Sequence, residues 1–345
     1  MDANQKFNLI VDGLQEVLGE IDLINILQTR NLKLYWGTAT TGRPHIGYLM
    51  PLIKLCHFLK ADCEVTILFA NIHAYLDAMK STWEQLEYRS QYYEELIKQV
   101  LLVLGAPLDK LKFVRGSEFQ LSPEYTINVY KIMSKISLHD AKKAGAEVVK
   151  QSSNPKMSSL LYPGLQALDE EFLKVDAQFG GIDQRKIFML AEKYMPQLSY
   201  RKRIHLMNPM IKSFSNNGQE KMSCSDINSK IDFLSTEKQI KKKINKTFCE
   251  EGNIEGGFIQ FVELVVFPIL KLKSENLVIN RSEEYGGKVI YNHYKILEGD
   301  LISKELHPGD LKKGISDFLI NLLGPVRTYF ETDNMKHVIE MAYKN

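Results

Sequence analysis

Apolar residues recur at helical spacing through Phe7, Ile10, Leu14, Val17, Leu18 and Ile21, which predicts one amphipathic helix over residues 6–28. The run "LKLYWG" that follows predicts the first strand. "IGYLMPLIKLCHFLKA" returns to a helical period, and "CEVTILFA" carries Val65, Ile67 and Phe69 in a continuous apolar run, as expected of a strand buried on both faces. Ser81 and Glu84 have capping-box spacing ahead of a helix to about Leu104, and "KLKFVRGSE" supplies another short strand. Ser122 and Pro123 then open a long helix over about 122–150. "VDAQFGG", "IDQRKIFMLAEKYM" and "RIHLMNP" repeat strand, helix, strand. This alternation predicts an α/β fold with a doubly wound, mostly parallel sheet.

From about Asp226 the strand signal weakens and helical periodicity takes over, so a domain boundary is expected there: an α/β domain over 1–225 and a helical domain over 226–345. The most apolar stretch, 258–272, is too short to span a bilayer, is interrupted by Glu263 and reads as a buried helix. No membrane partner is expected.

Composition agrees with two domains: 345 residues with 44% apolar and 25% charged positions describe an ordinary globular chain larger than one compact core. A net charge of +2 is far from the balance of a strongly basic nucleic-acid binder, so RNA contact must come from local patches. The first residues lack the apolar core of a signal peptide and the Arg and Ser bias of a transit peptide, which makes the cytoplasm the default. Cys56, Cys63, Cys224 and Cys249 show no CxxC pairing or zinc-ligand spacing, so reduced thiols and no structural metal are expected.

The chemistry concentrates where the first strand hands over to a helix, in "YWGTATTGRPHIGYLMPLIK". A helix N-terminus beyond the carboxyl end of a strand presents unpaired N–H groups to an anion, and glycines let a ligand approach the backbone. His45 on the first turn would aim a ring nitrogen at a phosphate oxygen that gains charge during displacement. The run Pro44-His45-Ile46-Gly47-Tyr48 resembles the HIGH signature of the class I aminoacyl-tRNA synthetases, with Tyr48 in place of the last histidine; His45 then acts alone unless Tyr48 or His73 assists. The family's partner motif is a mobile KMSKS loop. Both "KMSS" at Lys156 and "KMSCS" at Lys221 resemble it; the first runs straight into an apolar helix, while the second follows the last strand, so Lys221 is assigned the loop. Cys224 stands where the family has a second lysine.

Tyr162, Gln166 and Asp169 stand at i, i+4 and i+7, on one face of a helix. With "YWGTATTG", "VTILFANIHAYLD" and "VDAQFGGIDQRK" they resemble the tyrosyl-tRNA synthetases of eukaryotic and archaeal type, from about residue 6 to the end. That resemblance implies a Rossmann-like catalytic domain with a connective insertion at about 122–160 and a helical anticodon-binding domain. It implies that Tyr35 and Asp169 bind the phenolic hydroxyl of L-tyrosine, and that Tyr162, Gln166 and Gln184 hold its α-amino group. His45, Gly47, Lys221 and Ser223 would catalyse adenylate formation. ATP, entering with Mg²⁺, would meet Gly37, Thr41, His45, Gly47, Lys221, Met222, Ser223 and Ser225. Asp183 would bind ribose or substrate, or cap a helix. The resemblance further implies a homodimer, with the 122–150 helix at its interface and on the acceptor stem, and a tRNA for tyrosine whose anticodon meets Tyr285 and Asp310; a packed tyrosine and a capping aspartate are the competing readings. The Lys241–Lys246 run reads as a solvated helix face. Tryptophanyl-tRNA synthetase and a non-catalytic RNA-binding relative are the rival assignments, and the end at Asn345 suggests a minimal form without an appended domain.

Overall fold

The computed structural model describes residues 1–76, 81–148, 154–214 and 230–344. The predicted helix over 6–28 is instead three elements: α1 (Ala3–Val11), the short strand β1 (Glu16–Leu18) and α2 (Glu20–Thr29). Gly13 and Gly19 break the helix by adopting φ of 74° and 83°, a region open to glycine at little cost. Val17 and Leu18 therefore belong to a strand, and Ile21, counted in the apolar stripe, is 76% exposed.

The sheet contains β1, β2 (Lys33–Thr38), β3 (Glu64–Phe69), β4 (Leu111–Arg115), β5 (Ala177–Gly181) and β6 (Ile204–Asn208), in the order β1-β6-β5-β2-β3-β4. All pairings are parallel except β1 on β6. The chain winds outward from β2 in both directions, so the strand order reverses between β2 and β5, and a ligand crevice is expected at their carboxyl ends.

Helices α3 (Leu49–Lys60), α4 (Asn71–Leu76), α5 (Trp83–Val103), α8 (Met157–Phe172) and α9 (Arg185–Tyr194) surround the sheet. The capping box of α5 sits one residue later than expected: Thr82 and Gln85 exchange the two bonds, at 3.1 and 3.2 Å, because the Ser81 hydroxyl is held by Arg89. The expected long helix at 122–150 is two, α6 (Pro123–Met133), capped by Ser122 as predicted, and α7 (Leu138–Ala144), opened by its own N-cap serine, Ser137.

The C-terminal part is helical as expected, with α10 (Glu237–Asn245), α11 (Gly257–Phe261), α12 (Phe267–Lys273), α13 (Tyr294–Ile302), α14 (Pro308–Phe330) and α15 (Asp333–Tyr343). It also holds an unforeseen antiparallel pair, β7 (Leu277–Ile279) and β8 (Val289–Tyr291), whose three-residue strands are too short to show a period. A π-helical turn at Val262–Val266 joins α11 to α12. One continuous apolar cluster runs from Leu34, Ile67 and Phe179 in the sheet through Leu96 and Val100 of α5 to Leu319 of α14 and Val338 of α15. Among the described residues no helix is long and apolar enough to cross a membrane.

Candidate active site

A cavity of about 340 Å³ opens at the carboxyl ends of β2 and β5, where the strand order reverses. Its lining includes Tyr35, Gly37, Thr41, Tyr162, Gln166, Asp169 and Gln184, so seven positions chosen along the sequence meet in one place. Sheet register explains the floor: Tyr35 pairs with Gln178 of β5, so both strands present polar side chains at one level. The Tyr162, Gln166, Asp169 stripe of α8 forms a wall, with Gln166 9% and Asp169 1% exposed.

The deep end is built around one carboxyl group. Gln120 donates to Asp169 Oδ1 at 2.7 Å and the Tyr125 hydroxyl donates to the same oxygen at 2.9 Å. Burial pushes the Asp169 carboxyl up to about 8, against the pull of those two donors, so it is largely protonated at neutral pH. Tyr35, fully buried, donates its hydroxyl to Gln166 O at 3.3 Å, and its own pKa is raised by burial and then by Asp169. Nearer the mouth, Gln166 Nε2 donates to Gln184 Oε1 at 3.1 Å, which orients both amides. A Cβ at Gly181 would press on the carboxylate of Asp183 in the one-turn helix Ile182–Gln184, which would then have to turn away. Asp183 lies in the first turn of that helix, whose N-cap position is Gly181, and outside the cavity lining.

His45 and Gly47 stand beside the cavity rather than in its lining. His45 is the N-cap of the turn Ile46–Tyr48 that leads into α3, and its Nδ1 accepts from Gly47 N at 3.1 Å. Burial, then the nearby Lys230, pushes its pKa down to about 4. The imidazole is therefore neutral at pH 7, and with Nδ1 accepting, the proton sits on Nε2. The cap thus makes Nε2–H a hydrogen-bond donor without making the ring a cation. Tyr48, the departure from the signature, lines the cavity and shares a 3.3 Å hydrogen bond with Thr38, and its ring meets His45 edge-on. His73 is buried against Tyr162, its pKa pushed down to about 4 by burial, which leaves it a neutral packing partner of that wall.

Several residues escaped the sequence reading. Gln120 and Tyr125 hold Asp169; Tyr125 could have been found as the inward aromatic one turn into α6, seven residues before buried Ile132. Gln178, a polar residue between Ala177 and Phe179, lines the cavity with a buried Oε1 that has no partner. The loop before His45 is gripped from a distance: Arg89 donates to Thr41 O at 2.9 Å and to Ala342 O of α15 at 2.8 Å, and the Tyr93 hydroxyl donates to Gly42 O at 2.6 Å. Nothing local in the sequence announces those contacts.

Lys221, Met222, Ser223, Cys224 and Ser225 lie outside the described residues. The competing lysine, Lys156, directly precedes α8 as its N-cap position.

At the other end of the molecule Tyr285 is 70% exposed, in a turn followed by Gly286 and Gly287 at φ of 86° and 68°. It is not a packed tyrosine. Asp310 lies in the first turn of α14, but His307 is the cap, so Asp310 is not a capping aspartate either. Arg281 ties the two segments together, donating to Gly287 O at 3.1 Å and to Glu305 O at 2.9 Å.

A family model described as tRNA synthetases class I (W and Y) matches residues 27–324. The chain belongs to that family. It is 56% identical to the cytoplasmic tyrosine–tRNA ligase of Gallus gallus over 99% of this chain and 64% of that one. It is 50% identical to the cytoplasmic tyrosine–tRNA ligase of Saccharomyces cerevisiae over 96% of this chain and 85% of the relative. The chain thus spans slightly under two thirds of the vertebrate relatives it matches. Among solved structures, the tyrosyl-tRNA synthetase of Archaeoglobus fulgidus complexed with L-tyrosine superposes with a TM-score of 0.85 at 33% identity, covering 95% of this chain and 99% of that one. The α/β fold expected from the strand and helix alternation is the fold of class I synthetases of this branch.

Proposed function

We propose that the chain is a tyrosine–tRNA ligase, which activates L-tyrosine with ATP and passes the tyrosyl group to the 3′ end of the tRNA for tyrosine. The observation that carries the amino-acid assignment is the presence of buried Asp169 and buried Tyr35 in the lining of one cavity, with Asp169 held by Gln120 and Tyr125. Both donors to Asp169 use Oδ1, which leaves Oδ2 for a hydroxyl arriving from the cavity. A phenol meets that demand, while phenylalanine or an indole leaves a buried polar group unsatisfied; the tyrosine synthetases are the reference case of this asymmetry. Tyr162, Gln166 and Gln184 hold the α-amino group at the mouth.

The reaction is then an in-line displacement. The tyrosine carboxylate attacks the α-phosphorus of ATP, the bond to pyrophosphate breaks, and the terminal adenosine hydroxyl of the tRNA later attacks the mixed anhydride and releases AMP. His45 Nε2–H donates to a phosphoryl oxygen as it gains charge, and Gly37, exposed at the end of β2, allows ATP close to the backbone, with Thr41 and Gly47 beside it. Lys221, Met222, Ser223 and Ser225 supply the rest of the triphosphate contacts. Among the described residues no three His, Cys, Asp or Glu side chains come together as a metal site, so Mg²⁺ would enter on the triphosphate.

Tyr285 and Asp310 bind the anticodon, by stacking and by accepting from a base edge. The exposed apolar side chains Ile127 and Tyr130 of α6 and Leu138 of α7 form the contact of a homodimer. The relatives' cytoplasmic names support the same compartment here.

The test is amino-acid-dependent exchange of pyrophosphate into ATP without tRNA, with tyrosine, phenylalanine and tryptophan side by side. Exchange with tyrosine alone is expected. Exchange with tryptophan would overturn the pocket assignment, and none with any of the three would overturn the enzyme reading in favour of an RNA-binding role.

A further inference from the structure

Beside α3, a second cavity of about 450 Å³ lies between that helix, the end of β6 and the π-helical turn before α12. Its volume falls in the range of small-molecule sites, and π-turns gather at functional positions. Met50 and Ile53 of α3 and Phe267 of α12 give it apolar walls. Two polar side chains in those walls are unsatisfied: His57, 8% exposed, has no partner on Nδ1, and Asn208, 5% exposed, has none on Nδ2. Leaving such groups buried and unpaired costs stability, so a ligand that satisfies both gains more than its buried area.

Several charges around the cavity are engaged, while Glu263 stands exposed in its lining. Lys54 donates to Leu9 O at 3.0 Å and to Asp12 O at 2.6 Å, Lys271 pairs with Asp12 at 3.4 Å, and Glu275 pairs with Lys273 at 3.3 Å. Burial and the neighbouring Lys54 push the His57 imidazole down to about 4, so it is neutral. The site offers an acceptor or donor on a neutral ring and an amide donor, between apolar surfaces, and the described lysines of its lining, Lys54 and Lys271, already have partners.

We propose that this cavity is a second small-molecule site, which takes an uncharged planar molecule of the carboxamide type, bonded to His57 Nδ1 and Asn208 Nδ2. Such a ligand bridges α3, whose N-terminus follows the His45 turn, to the end of β6, lies against Phe267 of α12, and stabilises their packing by mass action.

The test uses the full chain with its active site saturated by L-tyrosine, and titrates benzamide and the isosteric anion benzoate by ligand-observed NMR with thermal unfolding in parallel. Benzamide is expected to bind in the millimolar range and to raise Tm. Benzoate should bind about tenfold more weakly, Asn208→Leu should weaken benzamide about tenfold, and Met50→Trp, which fills the cavity, should abolish binding. Absence of benzamide binding would overturn the site and leave a merely hydrated cavity, as would binding unchanged in Met50→Trp. Equal binding of benzoate would overturn the ligand class. If Met50→Trp does not fold, Asn208→Leu carries the decision: unchanged affinity there also overturns the proposal.

Discussion

Two helical segments of this chain begin with the same device. At His45-Ile46-Gly47 and again at His307-Pro308-Gly309, a histidine caps the helix by accepting on Nδ1 from the glycine two residues on, at 3.1 and 3.0 Å. The local chemistry is one and the same, yet the surroundings differ. His45 is 6% exposed, beside the cavity and under the electrostatic influence of Lys230, while His307 is exposed at the start of α14. Burial turns the first cap into a neutral donor of fixed tautomer beside the cavity. In the second, the cap orients α14 and its first-turn Asp310, and the imidazole itself remains a surface group. The hydrogen bond is a local matter; the function comes from what is packed around it.

The comparison breaks most severely if the cap can be kept and the donor removed. His45→Asn retains a capping acceptor but lacks Nε2–H, and pyrophosphate exchange should fall about 10²–10³-fold with tyrosine affinity nearly unchanged, whereas His307→Asn should leave exchange intact. Full exchange activity in His45→Asn, measured beside a tyrosine binding titration, would sink the assigned role.

Next in size is a pH effect confined to the buried histidine. The folded-state pKa of about 4 lies below the unfolded value of 6.5, so the unfolded chain binds the proton first. The His45 contribution is whole above pH 6.5 and is lost as pH falls toward 4, amounting to about 3 kcal/mol at the acid end. Asp169, raised to about 8, works in the opposite sense, gaining relative stability as pH falls, so the quantity to compare is the difference in urea-unfolding free energy between wild type and His45→Asn across that window. A constant difference would show that His45 does not stay neutral.

On the RNA side, Asp310→Asn should lower kcat/KM for aminoacylation of tRNA about 10–100-fold, while exchange without tRNA stays at the wild-type rate. Loss of both activities would mean that the residue supports the fold rather than the RNA. Smallest of all, His307→Ala should cost about 1 kcal/mol of stability through the lost cap, read as a shift in the urea midpoint, with no effect on exchange.

Much of this molecule was legible along the chain because its signals are periodic or local. The strand and helix alternation located β2 to β6, and the i, i+4, i+7 spacing placed Tyr162, Gln166 and Asp169 on one face before their wall was known. The failures have physical causes. The helix expected over 6–28 was an apolar period that survives two glycine breaks, so periodicity alone overran them. The box at Ser81 was displaced because a distant arginine claimed the serine. The β7 and β8 strands, three residues each, carry too few positions for any period.

By itself, the sequence determined the α/β class, the helix cap at Ser122 and the family signature around His45, because each depends on neighbours within a turn or a strand of one another. Only the tertiary structure decided that burial keeps Asp169 protonated against the pull of Gln120 and Tyr125, that Arg89 couples the Thr41 loop to α15, and that His57 and Asn208 face a common cavity. Those outcomes depend on desolvation and on partners far apart in the chain, and neither quantity exists until the core has closed around them.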